Sequence, residues 1–364
     1  MASISKLELK DSKKEAYFQK FILKNEKEYG IRFASPKDVK NVSSMFREVY
    51  NYNYINPIVY DIELLKKDIT NPNKLWVLCD LLENNSTVGC ALVEKERYIG
   101  HAGSLIVKKE FQGQGITTRI VGAGLITILK MPNFKNLLRV DTEVRGPKPS
   151  VQKAAYNAGA IPQSIIPSYI NFGDKRYTEL NDNNPCPPQI EESAILYSII
   201  FKNLWKKRDK TIFLLDNEDI IYIYNFIRTQ TKKMKFDTLI PKKVNKSKTY
   251  ELYGVSKDYY MANLKLFGYI KEKSLNNLLK RYKNWRIILW NIPTTENGIS
   301  SMFLALKKGF KVVGYDIGFN NINWTLFDSM IFAYYPNGNW KLSDINCTDR
   351  IKPFFNRIKQ QFQN

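Results

Sequence analysis

The chain has 364 residues, 44% of them hydrophobic and 25% charged, with 56 Lys/Arg against 35 Asp/Glu for a formal net charge of +21. That length favours two domains over one, and the composition is that of an ordinary globular protein, which excludes a disordered or fibrous chain. Four widely spaced cysteines without a CxxC pair, and a single histidine (His101), exclude a disulfide framework and a zinc site, so no metal is expected and a reducing, cytoplasmic location is.

Residues 1–30 are charged and mildly helical and read as an N-terminal helical extension. From IRFAS (31–35) strand and helix signals alternate. Pro36 and Asp38 open a helix over DVKNVSSMFREVYNY, and DIELLKKDIT (61–70) gives a second, ended by Asn71-Pro72. Three strands follow, KLWVLCDL (74–81), STVGCALVEKER (86–97) and HAGSLIVKK (101–109), with ENNS as the turn between the first two. A helix over 116–130, a strand LLRVDTEV (137–144), a helix over 150–160 and a strand PSYINF (167–172) complete a first domain, 31–180. Polar, proline-rich NDNNPCPPQ marks a linker at 181–190. A helix EESAILYSIIFKNLW (191–205) then opens a second domain, 191–364. KNLLRVDTEVRGPKPSVQKAAYNAGA (135–160) and KNWRIILWNIPTTENGISSMFLALKKGF (283–310) each read Lys-Asn, buried strand, Pro-containing loop, helix and Gly, the sign of a duplication. No apolar run is long enough to span a membrane, so no membrane partner is expected.

The most specific stretch is QGQGIT (112–117), between the strand ending at Val107 and the helix beginning at Ile116. Amides in a turn and in the first turn of a helix have no internal acceptor. Glycine permits positive φ and removes the Cβ that would block a ligand, and the helix dipole adds partial positive charge. These features together make a cradle for phosphate or pyrophosphate. A Walker loop would require Gly-Lys-Ser/Thr, and a dinucleotide fingerprint would require a third glycine where Thr118 stands.

On these residues the chain resembles the GNAT acyl-CoA N-acyltransferases, whose pyrophosphate loop reads Gln/Arg-x-x-Gly-x-Gly/Ala after a strand ending in Val. Here that is Val107 followed by Gln112, Gly113, Gln114, Gly115, Ile116 and Thr117, with Thr117 departing from the small residue of the pattern. The order strand, two helices, three strands, glycine loop, helix, strand, helix, strand over 31–180 is the family order. The resemblance implies an α/β (α+β) fold with a mixed, mostly antiparallel sheet flanked by helices. It also implies acetyl-CoA as co-substrate, held by the backbone of Leu105, Ile106 and Val107 and by residues 112–117, with Thr118 and Arg119 close by. The second half ends its helix with the more typical Lys308-Gly309-Phe310 but has GYIKEK where a glycine loop would stand. It reads as a degenerate GNAT-like half of a tandem protein.

Such an enzyme moves an acetyl group to an amine by direct attack in a ternary complex, which calls for a proton acceptor near the thioester. Strand alternation places His101, Gly103, Leu105 and Val107 on one face, which makes His101 a candidate base, with a structural histidine as the alternative. Glu143, on the next strand, is the other candidate base. The family's general-acid tyrosine position is Ala155 here, and Tyr156, one residue late, is a candidate only if the helix is shifted by about 100°. Cys90 has no acidic or imidazole partner nearby in sequence for a covalent route. A small-molecule amine, a protein lysine or a protein N-terminus is the expected acceptor. A Fem-like aminoacyl-tRNA-dependent transferase, for which the positive charge would suit a nucleic-acid partner, and a non-catalytic acyl-CoA-binding regulatory module are the alternatives.

Overall fold

The computed structural model describes residues 17–244, 251–322 and 324–363. Two aromatic pairs close its first hairpin: Phe18 meets Phe33 with ring centres 4.7 Å apart, and Phe21 stacks on Tyr29 at 5.7 Å. They fold β1 (Gln19–Ile22) against β2 (Glu28–Phe33), with Glu26 at φ +60 in the turn. Residues 17–30 are therefore not the expected helix, because cross-strand aromatic contacts outweigh weak helix propensity; residues 1–16 lie outside the described residues.

The first half continues as expected with α1 (Val39–Tyr50), α2 (Ile62–Thr70), β3 (Lys74–Leu81), β4 (Ser86–Glu96), β5 (Ile99–Val107), α3 (Ile116–Ile128), β6 (Arg139–Arg145) and α4 (Pro149–Asn157). Asp61 caps α2 by accepting hydrogen bonds from the amides of Glu63 and Leu64. β7 runs over Ile161–Phe172, longer than expected, because Pro162 and Pro167 are absorbed at two register shifts against β8.

β8 (Ile190–Ile200) corrects a second expectation, since 191–205 was read as a helix. An apolar run of this kind suits a helix or a central strand equally well, and here both of its edges are used: β6 bonds one and β7 the other. Residues 181–189 accordingly join two neighbouring strands. Only Lys202–Lys207 forms a helix, α5.

There follow β9 (Thr211–Leu215), α6 (Glu218–Thr229), β10 (Thr238–Lys242), β11 (Leu252–Asp258), β12 (Asn263–Tyr269) and α7 (Glu272–Arg281). The chain closes with β13 (Ile287–Pro293), α8 (Gly298–Lys307), β14 (Lys311–Ile322), β15 (Thr325–Tyr334) and α9 (Lys352–Gln363). β9 and β10 pair in parallel as a separate ribbon. The other thirteen strands form one mixed, mostly antiparallel sheet in the order β1-β2-β3-β4-β5-β6-β8-β7-β14-β15-β13-β12-β11.

Read outward from the β7–β14 junction, the two sides have the same plan. β5 and β6 are parallel, and so are β12 and β13; β8 inserts antiparallel between β6 and β7, as β15 does between β13 and β14. The turns that end α4 and α8 also match. The Gly159 amide donates to Tyr156 O and that of Ala160 to Ala155 O, as Gly309 and Phe310 do to Leu306 O and Ala305 O, with both glycines left-handed at φ +84 and +83. The repeat seen at 135–160 and 283–310 is thus one of architecture.

The junction is tight. Gly314 pairs with Ser164, whose Oγ donates to Val313 O at 2.8 Å. Further bonds tie the halves: Tyr335 OH to Pro167 O at 2.9 Å, Asn263 Nδ2 to Tyr169 O at 2.9 Å, and Arg286, which bonds Ser168 O and pairs with Glu191 at 2.8 Å.

Candidate functional site

β5 and β6 begin as a parallel pair and then part. Their register runs from Ile99↔Arg139 to Ala102↔Thr142 and stops there. β5 stays bonded to β4 as far as Val107, and β6 to β8 as far as Arg145, so from Gly103 and Glu143 onward a wedge opens between them. A bulge accompanies the parting: the β4–β5 register shifts between Cys90 and Leu92, and Ser104 takes φ +50. The bulge corrects the expected alternation. His101, Gly103 and Ile106, opposite Glu94, Leu92 and Cys90, share one face, while Leu105 and Val107 leave it.

The connection from Val107 to Ile116 runs along one end of this wedge. Gly113 (φ +78) and Gly115 (φ +87) are both left-handed, and a Cβ at either would meet nothing within 4 Å. The glycines are thus demanded by backbone conformation, and the space above them is open. Among the described residues the amides of Gly113, Gln114, Gly115, Ile116, Thr117 and Thr118 have no acceptor. The loop is held from outside: Gln112 Nε2 donates to Val107 O at 2.9 Å, Gln114 Nε2 to Glu110 O at 3.1 Å, and Asn25 Nδ2 to Gln114 Oε1 at 2.8 Å. Ile116, Ile120 and Ala123 bury α3 against Val77, Cys79, Val88 and Val107, which aims the helix N-terminus at the wedge. Arg119 lies over the Phe21 ring at 5.5 Å. This is a fixed row of donors with an empty front, and it fits a pyrophosphate.

On the other face of the sheet, α1 and the segment after it cover the wedge. Tyr54 is buried, and its hydroxyl donates to Ser104 Oγ at 3.3 Å. Burial pushes that hydroxyl above its ordinary range, and Glu143 is among the nearby groups that add to the rise. Glu143, about 39% exposed, accepts a hydrogen bond from Tyr169 OH at 2.6 Å and lies 3.8 Å from Lys265 Nζ. Burial likewise raises the Tyr169 hydroxyl.

Beyond these groups the wedge widens into a cleft of about 450 Å³. Tyr50 and Phe172, stacked at 5.8 Å, form its apolar wall. The ion pair Arg145–Glu192 (2.5 Å) lines it along with Arg47, Glu48 and Lys109.

The sequence candidates are thus distributed unevenly. Leu105 to Val107, residues 112–118 and Glu143 border one wedge. His101 is exposed on the still-paired part of β5, opposite Asp141, whose carboxylate is occupied by Arg139 and Ser198. Tyr156 lies apart from the wedge, with the Arg350 guanidinium 3.6 Å from its ring centre, in a pocket it shares with Gln152 and Tyr197. Cys90 is fully buried, burial raises its thiol, and its Sγ faces Ser104 O at 3.6 Å, which leaves no thiolate for a covalent route. Sequence reasoning missed Tyr54, Ser104, Tyr169 and Lys265. Ser104 becomes legible only if the bulge is foreseen, and the others only through tertiary contacts. Among the described residues no His, Cys, Asp and Glu cluster could hold a metal ion, and no helix is long and apolar enough to cross a membrane.

No family model and no curated protein matches the chain. Solved structures do. A GNAT-family acetyltransferase from Streptococcus pneumoniae is 13% identical over 48% of this chain and 99% of its own, with a TM-score of 0.37. A ribosomal-protein-S5-alanine acetyltransferase from Vibrio fischeri is 15% identical over 51% and 98%, with a TM-score of 0.39. A spermidine N-acetyltransferase from Vibrio cholerae, solved with CoA and spermine, is 12% identical over 47% and 95%, with a TM-score of 0.36. Over about half of its length, the chain is similar to acetyltransferases of the GNAT family.

Proposed function

We propose that the chain is an acetyl-CoA-dependent N-acyltransferase of the GNAT kind, whose first half binds the co-substrate and whose second half is a GNAT-like partner without a cofactor loop. The observation that carries this reading is the conjunction of a strand wedge with a row of acceptor-free amides at its edge, between Gly113 and Thr118. Acetyl-CoA supplies an activated acetyl group, whose carbonyl carbon gains a bond to the acceptor nitrogen while the C–S bond breaks and the sulfur leaves as a thiol.

The chain's own residues do the rest. Amides 113–118 hold the pyrophosphate, and their charge-assisted bonds fix the co-substrate's register along β5. The open edge of Leu105–Val107 offers backbone donors and acceptors to the pantetheine amides. Glu143, beside the parting point, takes a proton that the attacking ammonium must lose. The Tyr50–Phe172 wall and the charged rim of the cleft receive the acceptor. The +21 charge disfavours free polyamines and favours a neutral or anionic amine, or a protein amino group in an acidic context.

Calorimetric titration with acetyl-CoA, followed by thiol release against amino acids, polyamines and lysine peptides, tests the reading. Saturable binding that Gly115→Asp abolishes, with thiol release for at least one amine, is expected. Absence of binding by the intact chain overturns the proposal. Binding without thiol release for any amine would instead identify a non-catalytic acyl-CoA-responsive module.

A further inference from the structure

Glu143 stands on a strand of the first half, yet its cationic neighbour comes from the second. Lys265 lies on β12, six positions across the sheet order from β6, and reaches Glu143 because the sheet coils back on itself. Its placement is fixed by buried contacts. Asn263, two residues earlier and on the same face of β12, donates to Tyr169 O at 2.9 Å with almost no exposure. Arg286 clamps Met261 O and Ser168 O, holding the start of β12 against β7. Lys265 Nζ then lies 3.8 Å from Glu143 Oε1 and 5.7 Å from the centre of the ring that carries the Tyr169 hydroxyl. That hydroxyl donates to the same Glu143 oxygen at 2.6 Å.

From this arrangement we infer that Lys265 is a positioning residue for the reaction proposed above: the second half supplies the cation that, with Tyr169, holds the Glu143 carboxylate in place at the wedge. The inference rests on the acetyl-transfer reading, and it gives the loop-less half a task at the reacting centre. Oε1 thus accepts the Tyr169 hydrogen bond and faces the Lys265 ammonium, which leaves Oε2 as the atom to accept a proton. The other groups around Glu143 are Tyr54 from the segment after α1, Asp258 at the end of β11, and Asp141 and Arg145 on its own strand, with His101 opposite Asp141. The proton balance is simple: the ammonium of the incoming amine gives one proton to Glu143, from which solvent takes it, and once the C–N bond has formed the nitrogen's second proton goes to the departing sulfur, giving the amide and the free thiol.

The test uses the full chain and three variants: Lys265→Met, Lys265→Gln and Lys265→Arg. In thiol-release assays Lys265→Met and Lys265→Gln should lower kcat about 5- to 10-fold with the acetyl-CoA Kd and the melting temperature unchanged, and Lys265→Arg should restore most of the loss. Combined with Glu143→Gln, Lys265→Met should cost nothing further, because the two side chains act as a unit. Unchanged turnover in Lys265→Met and Lys265→Gln overturns the inference, as does an additive loss in the combined variant. If the parent chain releases no thiol with any amine, the acetyl-transfer reading itself fails, an outcome distinct from parent turnover that the Lys265 variants leave unmoved.

Discussion

Two strand-to-helix connections occupy the same place in the two halves and could hardly differ more. Between β5 and α3 the chain spends eight residues, 108–115, on a loop with two left-handed glycines and a row of amides without acceptors. Between β12 and α7 it spends two, Ile270 and Lys271. Ile270 is fully buried and its amide donates to Ser301 Oγ, while the Lys271 amide donates to Glu251. The first residue of α7 is Glu272, which brings its own carboxylate to the helix N-terminus and pairs with Lys307 and Lys308 at 3.2 and 2.8 Å. Beside it, Trp290 Nε1 donates to Gly268 O at 2.9 Å, so the edge where β12 and β13 would part is filled by an indole. One connection leaves a row of its own amides facing open space, and the other bonds both of its own amides within the chain and fills its gap from within. The same topology can therefore serve as a binding edge or as a plug, and a few residues decide which.

The comparison depends on the two halves meeting as they do, and Gly314 is the place to break it. A Cβ there would lie 2.4 Å from both Gln163 O and Ser164 Cβ, distances no side-chain shift can relieve. Gly314→Val should therefore open the β7–β14 junction and cost roughly 3 kcal/mol or more. The loss should appear in denaturant unfolding, with the Lys265–Glu143 coupling lost as well if the variant folds. An unchanged unfolding midpoint would show that the halves hold together without this contact.

The first half was largely legible because its periodicities and turn residues agree with its tertiary fold. The glycine loop could be read from Gly113 and Gly115 alone, since their conformational need is local. What escaped the sequence is what only neighbours decide. Residues 190–200 form a strand because β6 and β7 both bond to it, and 19–22 do so because Phe21 has Tyr29 to stack on. Glu143 was visible as a charge on a strand, but Lys265 lies 122 residues away from it and can be linked to it only through the coiled sheet.

A buried ion pair across the halves offers a smaller, pH-dependent test. Arg139 of β6 contacts Asp316 of β14 at 2.5 Å, and Asn291 of β13 lies 3.5 Å from the same carboxylate. Burial pushes the Asp316 carboxyl up to about 6 from a usual 3.8, although Arg139 pulls the other way. The native chain therefore keeps a proton there that the unfolded chain has released. Because the folded state binds more protons between pH 4 and 6, stability falls as pH rises through that window and levels off above it. Asp316→Asn removes the titration. The stability difference between parent and variant should therefore shrink by about 1–3 kcal/mol from pH 4 to pH 6.5. A difference independent of pH would mean that Asp316 titrates alike in both states.

The finest test returns to the two connections and changes one atom group in each. Gly115→Ala adds a Cβ that meets no protein atom, so the fold tolerates it sterically, but the residue must stay at φ +87. An alanine there costs about 1 kcal/mol in strain, and the methyl group intrudes on the space in front of the amides. Acetyl-CoA affinity should fall about 5- to 10-fold while the melting temperature drops only slightly. Glu272→Gln makes the matching change in the second half, removing the carboxylate that sits on α7. If that helix end is a plug, acetyl-CoA affinity and stoichiometry should not change, because the Ile270 and Lys271 amides are still bonded within the chain. A second binding event in Glu272→Gln would show instead that one carboxylate, and not the length of the connection, keeps the second half closed.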